Sequence, residues 1–276
     1  MLWSIGPHCE NYNVVTGFKN AVTEVKWSTC GRDYIYASAA DKTVACFDGN
    51  SGERIARFAS HGGIVNGCDV DGTSNMVASG SDDKTVRVHD IRVRNAATVI
   101  KCEWAVTSVA YSLDCNTLYT AGIDNVVTAR DLRKVTSAGG DNPNKSTTLV
   151  LKGHTDTVTG LAVSPDGTKL LSNGMDNALF EWDISPFSPS DRCVKVLTGH
   201  THNAEKRLLR ASWSPDGEMV TCGTADGVVR IWDEPTGEVL YSLPGHRGGV
   251  QDVRFHPAMP VVASGGSDGT VVVGEL

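Results

Sequence analysis

Long apolar runs are missing from this 276-residue chain: none approaches the ~20 residues that span a bilayer. The start, MLWSIGPHCENY, has about five apolar residues and no basic flank, so neither a membrane span nor a secretory signal is expected. Helical periodicity is absent too, and aromatic residues make up only 7%. Positive charge is never blocked. With 25 Lys and Arg against 32 Asp and Glu the net charge is −7, which argues against direct contact with a phosphate backbone. The eight cysteines (Cys9, Cys30, Cys46, Cys68, Cys102, Cys115, Cys193, Cys222) stand singly, without C-x-x-C or a Cys/His grouping at metal-ligand spacing. They are read as reduced thiols of a cytosolic or nuclear protein. Asn144-Lys145-Ser146 fits a glycosylation pattern, which such a compartment makes a coincidence. With no phosphate-cradling loop, nucleophile elbow or calcium-loop spacing, no cofactor or metal is expected.

What is present is repetition. Twenty-nine glycines and many short Val/Thr/Ser-rich runs, punctuated by D-G, D-K and D-N, favour an all-β chain. Six aspartates, Asp41, Asp83, Asp124, Asp176, Asp226 and Asp268, each stand seven residues before an acidic residue: Asp48, Asp90, Asp131, Asp183, Asp233 and Glu275. Two of those acids complete the pairs Trp182-Asp183 and Trp232-Asp233. Upstream of five turn aspartates lie Phe18, His61, His154, His200 and His246, with a regular gap of 22 to the aspartate at His61, His154 and His246. The turn aspartates are spaced by 42, 41, 52, 50 and 42 residues.

Each period reads as four short strands, as in LLRASWS, MVTCGT, GVVRIWD and EVLYSLPGH. A unit of about 40–45 residues with four strands and G-H and W-D marks resembles the WD40 repeat, which implies a β-propeller of stacked four-stranded blades. Residues 1–276 are therefore expected to form one propeller domain, with a partial first blade at 1–17 and repeats at about 18–60, 61–103, 104–152, 153–198, 199–244 and 245–276. MLWSIG resembles a third strand and YNVVTGF a fourth. In a six-bladed ring Tyr12 to Thr16 would complete the last blade. In a seven-bladed ring, the favoured reading, the chain supplies six repeats plus an N-terminal half blade, with three strands missing ahead of Met1.

His154, Ser172, Asp176 and Trp182 together imitate a nucleophilic site. The repeat implies a structural chain instead, with Asp accepting from His, His meeting Ser, and the Ser oxygen accepting from the indole N–H. Recurrence supports that reading, because Ser79, Thr120, Ser172, Cys222 and Ser264 all stand four residues before a turn aspartate, a place taken by Ala37 in the first repeat. A non-enzymatic protein follows.

Beyond the blade marks, LLSNGMDNALFEWDISPFSPSDRCVKVLTGHTHNAEKRLLRASWSPDG, DKTVACFDGNSGERI, GSDDKTVRVHDIR, GIDNVVTARDLR and FHPAMPVVASGGSDGTVVVGEL resemble the spliceosomal WD40 family of 40-kDa U5 small nuclear ribonucleoprotein proteins. Departures are the missing part blade, Phe18 for a G-H histidine, His89 and Arg130 for tryptophans, and the insert SAGGDNPNKS. The resemblance implies a nuclear scaffold for pre-mRNA splicing, docked on the largest U5 core protein and other spliceosomal proteins, reaching RNA only indirectly and binding no membrane. The alternative is another WD40 adaptor, a ubiquitin-ligase substrate receptor or a G-protein-β-like scaffold. SAGGDNPNKS and ISPFSPSDR lengthen third-to-fourth-strand loops expected on one face, and HTHNAEKR lengthens a fourth-to-first-strand loop on the other. On that second face Trp104, Met175, Lys206, Arg207 and Arg247 are candidate docking residues, Arg, Trp and Met being favoured in interface cores. Phe187, between Pro186 and Pro189, either meets a partner or, as favoured, packs onto its own blade.

Overall fold

Every turn aspartate sits at a chain reversal whose next residue has positive φ: Lys42 (70°), Lys84 (63°), Asn125 (62°), Asn177 (62°), Gly227 (81°) and Gly269 (77°). In five of these turns the carboxylate accepts from the backbone N–H two residues on, at 2.9–3.3 Å, closing an Asx turn. The turns tie the second strand of each unit to the third. The structure is a computed structural model that describes all residues except 5–9, 29–30, 74, 94–95, 136–145, 189–190, 203–204 and 206.

The chain divides into two compact units, one of Met1–Leu118 with Arg130–Thr148, the other of Tyr119–Ala129 with Leu149–Leu276. In the first, β1 (Leu2–Ser4) and β2 (Glu10–Asn13) pair with each other. Two antiparallel four-stranded sheets follow, β3 (Val22–Trp27), β4 (Tyr34–Ala39), β5 (Val44–Asp48) and β6 (Arg54–Phe58), then β7 (Val65–Val70), β8 (Met76–Ser81), β9 (Thr85–Asp90) and β10 (Ala96–Lys101). The third sheet, β11 (Val106–Tyr111), β12 (Thr117–Gly122), β13 (Val126–Asp131) and β14 (Thr147–Lys152), has residues in both units. The second unit holds a fourth sheet, β15 (Val158–Val163), β16 (Lys169–Gly174), β17 (Leu179–Asp183) and β18 (Cys193–Leu197). Its fifth sheet is β19 (Ala211–Trp213), β20 (Met219–Cys222), β21 (Val228–Asp233) and β22 (Val239–Pro244). The sixth has three strands, β23 (Val250–Phe255), β24 (Val261–Gly266) and β25 (Val271–Glu275). In every sheet the strands are joined in sequence order, the order of an all-β propeller blade.

Burial explains the composition of the strands. The second strands β4, β8, β12 and β16 are buried almost without a break, while the outer strands β14 and β18 alternate. A strand covered on both faces needs small or apolar residues throughout, and a half-covered one needs them at every other position. The core therefore lies between successive sheets: Val44, Phe58 and Val65 between the first and second, Leu179, Leu197 and Trp232 between the fourth and fifth.

Two strand readings shift. The strand that pairs with β1 is Glu10–Asn13, starting ahead of the expected YNVVTGF, because β1 offers only three residues and the Val14 N–H is taken by Asn13 Oδ1 at 2.8 Å. The fifth sheet's first strand shrinks to Ala211–Trp213, since Arg210 N–H is already taken by the Gln251 carbonyl at 2.8 Å. Most of SAGGDNPNKS lies outside the described residues. Its last residue, Ser146, is buried, and its carbonyl accepts from Asp131 N–H at 2.8 Å.

Candidate functional site

The fourth blade brings all four of its marked side chains together. Trp182 Nε1–H donates to Ser172 Oγ at 2.7 Å, Ser172 Oγ lies 2.8 Å from His154 Nε2, and His154 Nδ1 lies 3.0 and 3.1 Å from the Asp176 oxygens. With its proton on Nδ1, donated to Asp176, His154 accepts the Ser172 hydroxyl proton at Nε2, and the Ser172 carbonyl lies 3.1 Å from that same nitrogen. Thr155 N–H adds a bond to Asp176 Oδ2 at 2.9 Å, and Phe180 stacks on Trp182 with centroids 5.2 Å apart. Glycine is required at 174, where a Cβ would run into His154 Nδ1 and Asp176 Oδ1. Burial lowers the His154 pKa, an effect that Asp176 opposes. Ser172 is wholly buried, with its oxygen bonded on both sides, so no substrate can reach it. The arrangement links the second and third strands of the blade to the residue ahead of its first strand.

Its counterparts keep less of the chain. In the second blade His61 joins Asp83 at 2.9 Å and Ser79 at 2.8 Å, but His89 stands in the tryptophan's place, stacked on Phe58 at 4.4 Å, with burial holding its pKa down at about 3. In the sixth His246 joins Asp268 at 3.3 Å and Ser264 at 2.9 Å. The first blade replaces the chain with an edge-on contact of Phe18 and Phe47 at 5.7 Å. In the third, Arg130 takes the tryptophan's place and donates to Thr147 Oγ1 at 3.5 Å and Cys102 Sγ at 3.7 Å.

The fifth blade retains Gly199-His200 and Trp232-Asp233 and yet lacks the chain. Trp232 Nε1–H donates to the Thr198 carbonyl at 3.2 Å, and Asp226 accepts from Thr224 and from Arg230 at 2.9 Å. Cys222 has no hydroxyl to offer. His200 is buried with neither ring nitrogen bonded among the described residues, and burial, then His202, lowers its pKa to about 4.

Among the described candidate docking residues of the second unit, no hydrogen bond or ion pair joins Met175, Phe187, Arg207 and Arg247 to one another. Trp104 is half exposed, with Lys84 Nζ 5.6 Å from its ring centroid. Met175 is half-buried and donates its N–H to the Thr157 carbonyl at 2.8 Å. Arg207 is half-buried and pairs with Glu205 at 2.7 Å, whereas Arg247 is exposed, its N–H bonded to Asp268 at 2.8 Å. Lys206 lies outside the described residues. Phe187 is 99% exposed, which corrects the expectation that it packs onto its own blade. Nearby, Arg192 Nη1 donates to the Asp183 and Ser185 carbonyls at 3.1 and 2.9 Å.

Sequence reasoning missed an ionic cluster between the fourth and fifth blades. Lys169 Nζ lies 2.8 Å from Glu181 and 2.5 Å from Glu234, and Lys195 Nζ donates to the Glu234 carbonyl. Glu181 is fully buried and its pKa is raised, burial outweighing Lys169. For Glu234 burial is outweighed by Lys169 and Lys195, and the pKa falls. An acid at a central strand position was the available signal, because a buried carboxylate needs a partner.

Four-stranded blades carrying His–Asp and Trp–Ser links place the chain among the WD40-repeat β-propeller proteins. The family described as WD domain, G-beta repeat matches residues 52–90, 145–183, 191–233 and 237–273. Its particular branch is equally plain: the chain belongs to the family of U5 small nuclear ribonucleoprotein 40 kDa proteins. It is 40% identical to the Dictyostelium discoideum protein of that name over 276 residues, all of this chain and 75% of the relative. It is 36% identical to the Schizosaccharomyces pombe pre-mRNA-splicing factor cwf17, over all of this chain and 78% of that one. With the Homo sapiens U5 small nuclear ribonucleoprotein 40 kDa protein it shares 40% identity over 83% of this chain and 62% of the relative.

Proposed function

We propose that this chain is a non-enzymatic protein-interaction scaffold of the U5 small nuclear ribonucleoprotein, acting in pre-mRNA splicing within the nucleus. The observation that carries this reading is 40% identity along the whole chain to a relative named for that particle. The buried, doubly bonded Ser172 hydroxyl supports the non-enzymatic part, and the net charge of −7 supports contact with RNA through proteins rather than directly. Residues 1–276 act in this reading as one propeller domain docked on the largest U5 core protein. Phe187 is its foremost contact, because an aromatic ring left fully in water is the kind of group an interface buries. Trp104, Met175, Lys206, Arg207 and Arg247 are further candidates.

Affinity purification of the endogenous full-length protein tests the proposal. U5 proteins should co-purify, whereas ubiquitin-ligase subunits without U5 proteins would make the chain a different WD40 adaptor. Phe187→Ser and Arg207→Glu should each lower U5 recovery, and unchanged recovery would remove that residue from the interface.

A further inference from the structure

Four serines of the chain stand directly before proline: Ser164, Ser185, Ser188 and Ser214. Three of them are closed to another protein. Ser164 and Ser214 are only 3% and 1% exposed, each in the turn between the first and second strands of its blade. Ser164 Oγ donates to Asp166 at 2.5 Å and accepts from Lys169 N–H at 2.9 Å; Ser214 Oγ donates to Asp216 and accepts from Met219 N–H at 2.8 Å. Ser188 Oγ is sealed from solvent, and Pro189 lies outside the described residues. Ser185 differs. It is half-buried in the loop between β17 and β18, and the two residues after it, Pro186 and Phe187, are exposed. Its N–H goes to Asp183 Oδ1 at 2.8 Å and its carbonyl accepts from Arg192 Nη1 at 2.9 Å, while no backbone N–H among the described residues bonds its Oγ.

A kinase that selects proline after its acceptor reads a compact ring with no backbone N–H, so the proline must be reachable as well as the serine. Pro186 is. We propose that Ser185 is the acceptor of a proline-directed protein kinase, and that its phosphate releases the partner protein bound at Phe187. In the transfer Ser185 Oγ attacks the γ-phosphorus of Mg²⁺-bound ATP. The Oγ–P bond forms as the bond to the β,γ-bridging oxygen breaks, ADP leaves, and the serine proton passes to a base of the kinase. The product carries a charge of about −2. It falls beside Asp183, whose carboxyl is held below its usual pKa by the Ser185 N–H and then by the Ser185 hydroxyl, and is therefore ionised. Like charges repel there, and an interface that buries the Phe187 ring would have to desolvate the phosphate two residues away. The release rests on the scaffold reading; the acceptor does not.

The test uses the full chain, a cyclin-dependent kinase and Mg²⁺–ATP, with each phosphate placed by peptide fragmentation in a mass spectrometer. Ser185 should take up phosphate, and Ser164 and Ser214 should not. Ser185→Ala and Pro186→Ala should each lower incorporation about tenfold or more, with unfolding midpoints unchanged, while Ser188→Ala should keep it. No incorporation while the kinase phosphorylates its reference peptide would overturn the proposal. So would incorporation at Ser188 in place of Ser185, or equal incorporation in Ser185→Ala. The phosphorylated chain should then recover U5 proteins from nuclear extract about tenfold less well than the untreated chain, and kinase treatment of Ser185→Ala should change nothing. Equal recovery would overturn the release. Phosphate on Ser185 with no U5 recovery by either form removes the scaffold reading and leaves the acceptor intact. Normal U5 recovery by a chain that takes no phosphate does the reverse.

Discussion

In the fourth blade Trp182, Ser172, His154 and Asp176 are linked by hydrogen bonds; in the fifth, Trp232 turns to the Thr198 carbonyl, Asp226 to Thr224 and Arg230, and His200 is left without a partner among the described residues. Both blades carry Gly-His and Trp-Asp, and both match the repeat family. The marks therefore identify a blade without guaranteeing its internal bonds. Two changes account for the loss. Cys222 removes the hydroxyl between ring and indole, and Asp226, 26 rather than 22 residues beyond His200, bonds Thr224 and Arg230 instead of the ring. The fifth blade is held instead by packing, with Trp232, Ile231 and Val220 all fully buried.

The largest expected effect comes from the contact that joins the two blades. Lys169→Met leaves buried Glu181 facing Glu234 without their shared cation and should cost about 3 kcal/mol in urea unfolding at neutral pH. Next comes Ser172→Cys, which gives the fourth blade the fifth blade's residue. It should cost about 1–3 kcal/mol, because Trp182 Nε1 and His154 Nε2 each lose a partner, whereas Cys222→Ser should change stability by less than about 1 kcal/mol. Equal effects at the two sites would erase the comparison.

Acid should sharpen it. The folded pKa of His200 is lowered to about 4, mainly by burial, against about 6.5 in the unfolded chain. Between those values the unfolded state binds more protons, so stability is full above pH 6.5 and declines as pH falls toward 4. This one residue contributes a loss on the order of 3 kcal/mol. His200→Phe should flatten that part of the pH–stability curve without destabilising the protein at pH 7. An unchanged acid slope would mean that His200 has a partner after all. The smallest effect belongs to Phe187→Ser, which should alter the unfolding midpoint by no more than about 0.5 kcal/mol of stability, since the ring touches so little of its own chain.

Much of the fold was legible because turn chemistry and strand alternation are local. Asp41 to Asp268 mark the six turns, and four-strand units follow from their spacing. The fourth-blade chain was legible because all four residue types survive at regular offsets. The break in the fifth was only half legible: the gap of 26 and Cys222 were visible, but their effect on His200 depends on where the longer loop carries Asp226. Phe187 was misjudged because the course of a loop outside the strand pattern has no sequence period to record it. Lys169 and Glu234, 65 residues apart, meet only through the stacking of two blades.

Proton-detected ¹⁵N spectra of the histidine rings test the central claim most directly, that blade marks and blade bonds are separable. His61, His154 and His246 should each show a hydrogen-bonded Nδ1 proton, and His200 should show none. A protected, hydrogen-bonded ring proton on His200 like that of His154 would contradict it.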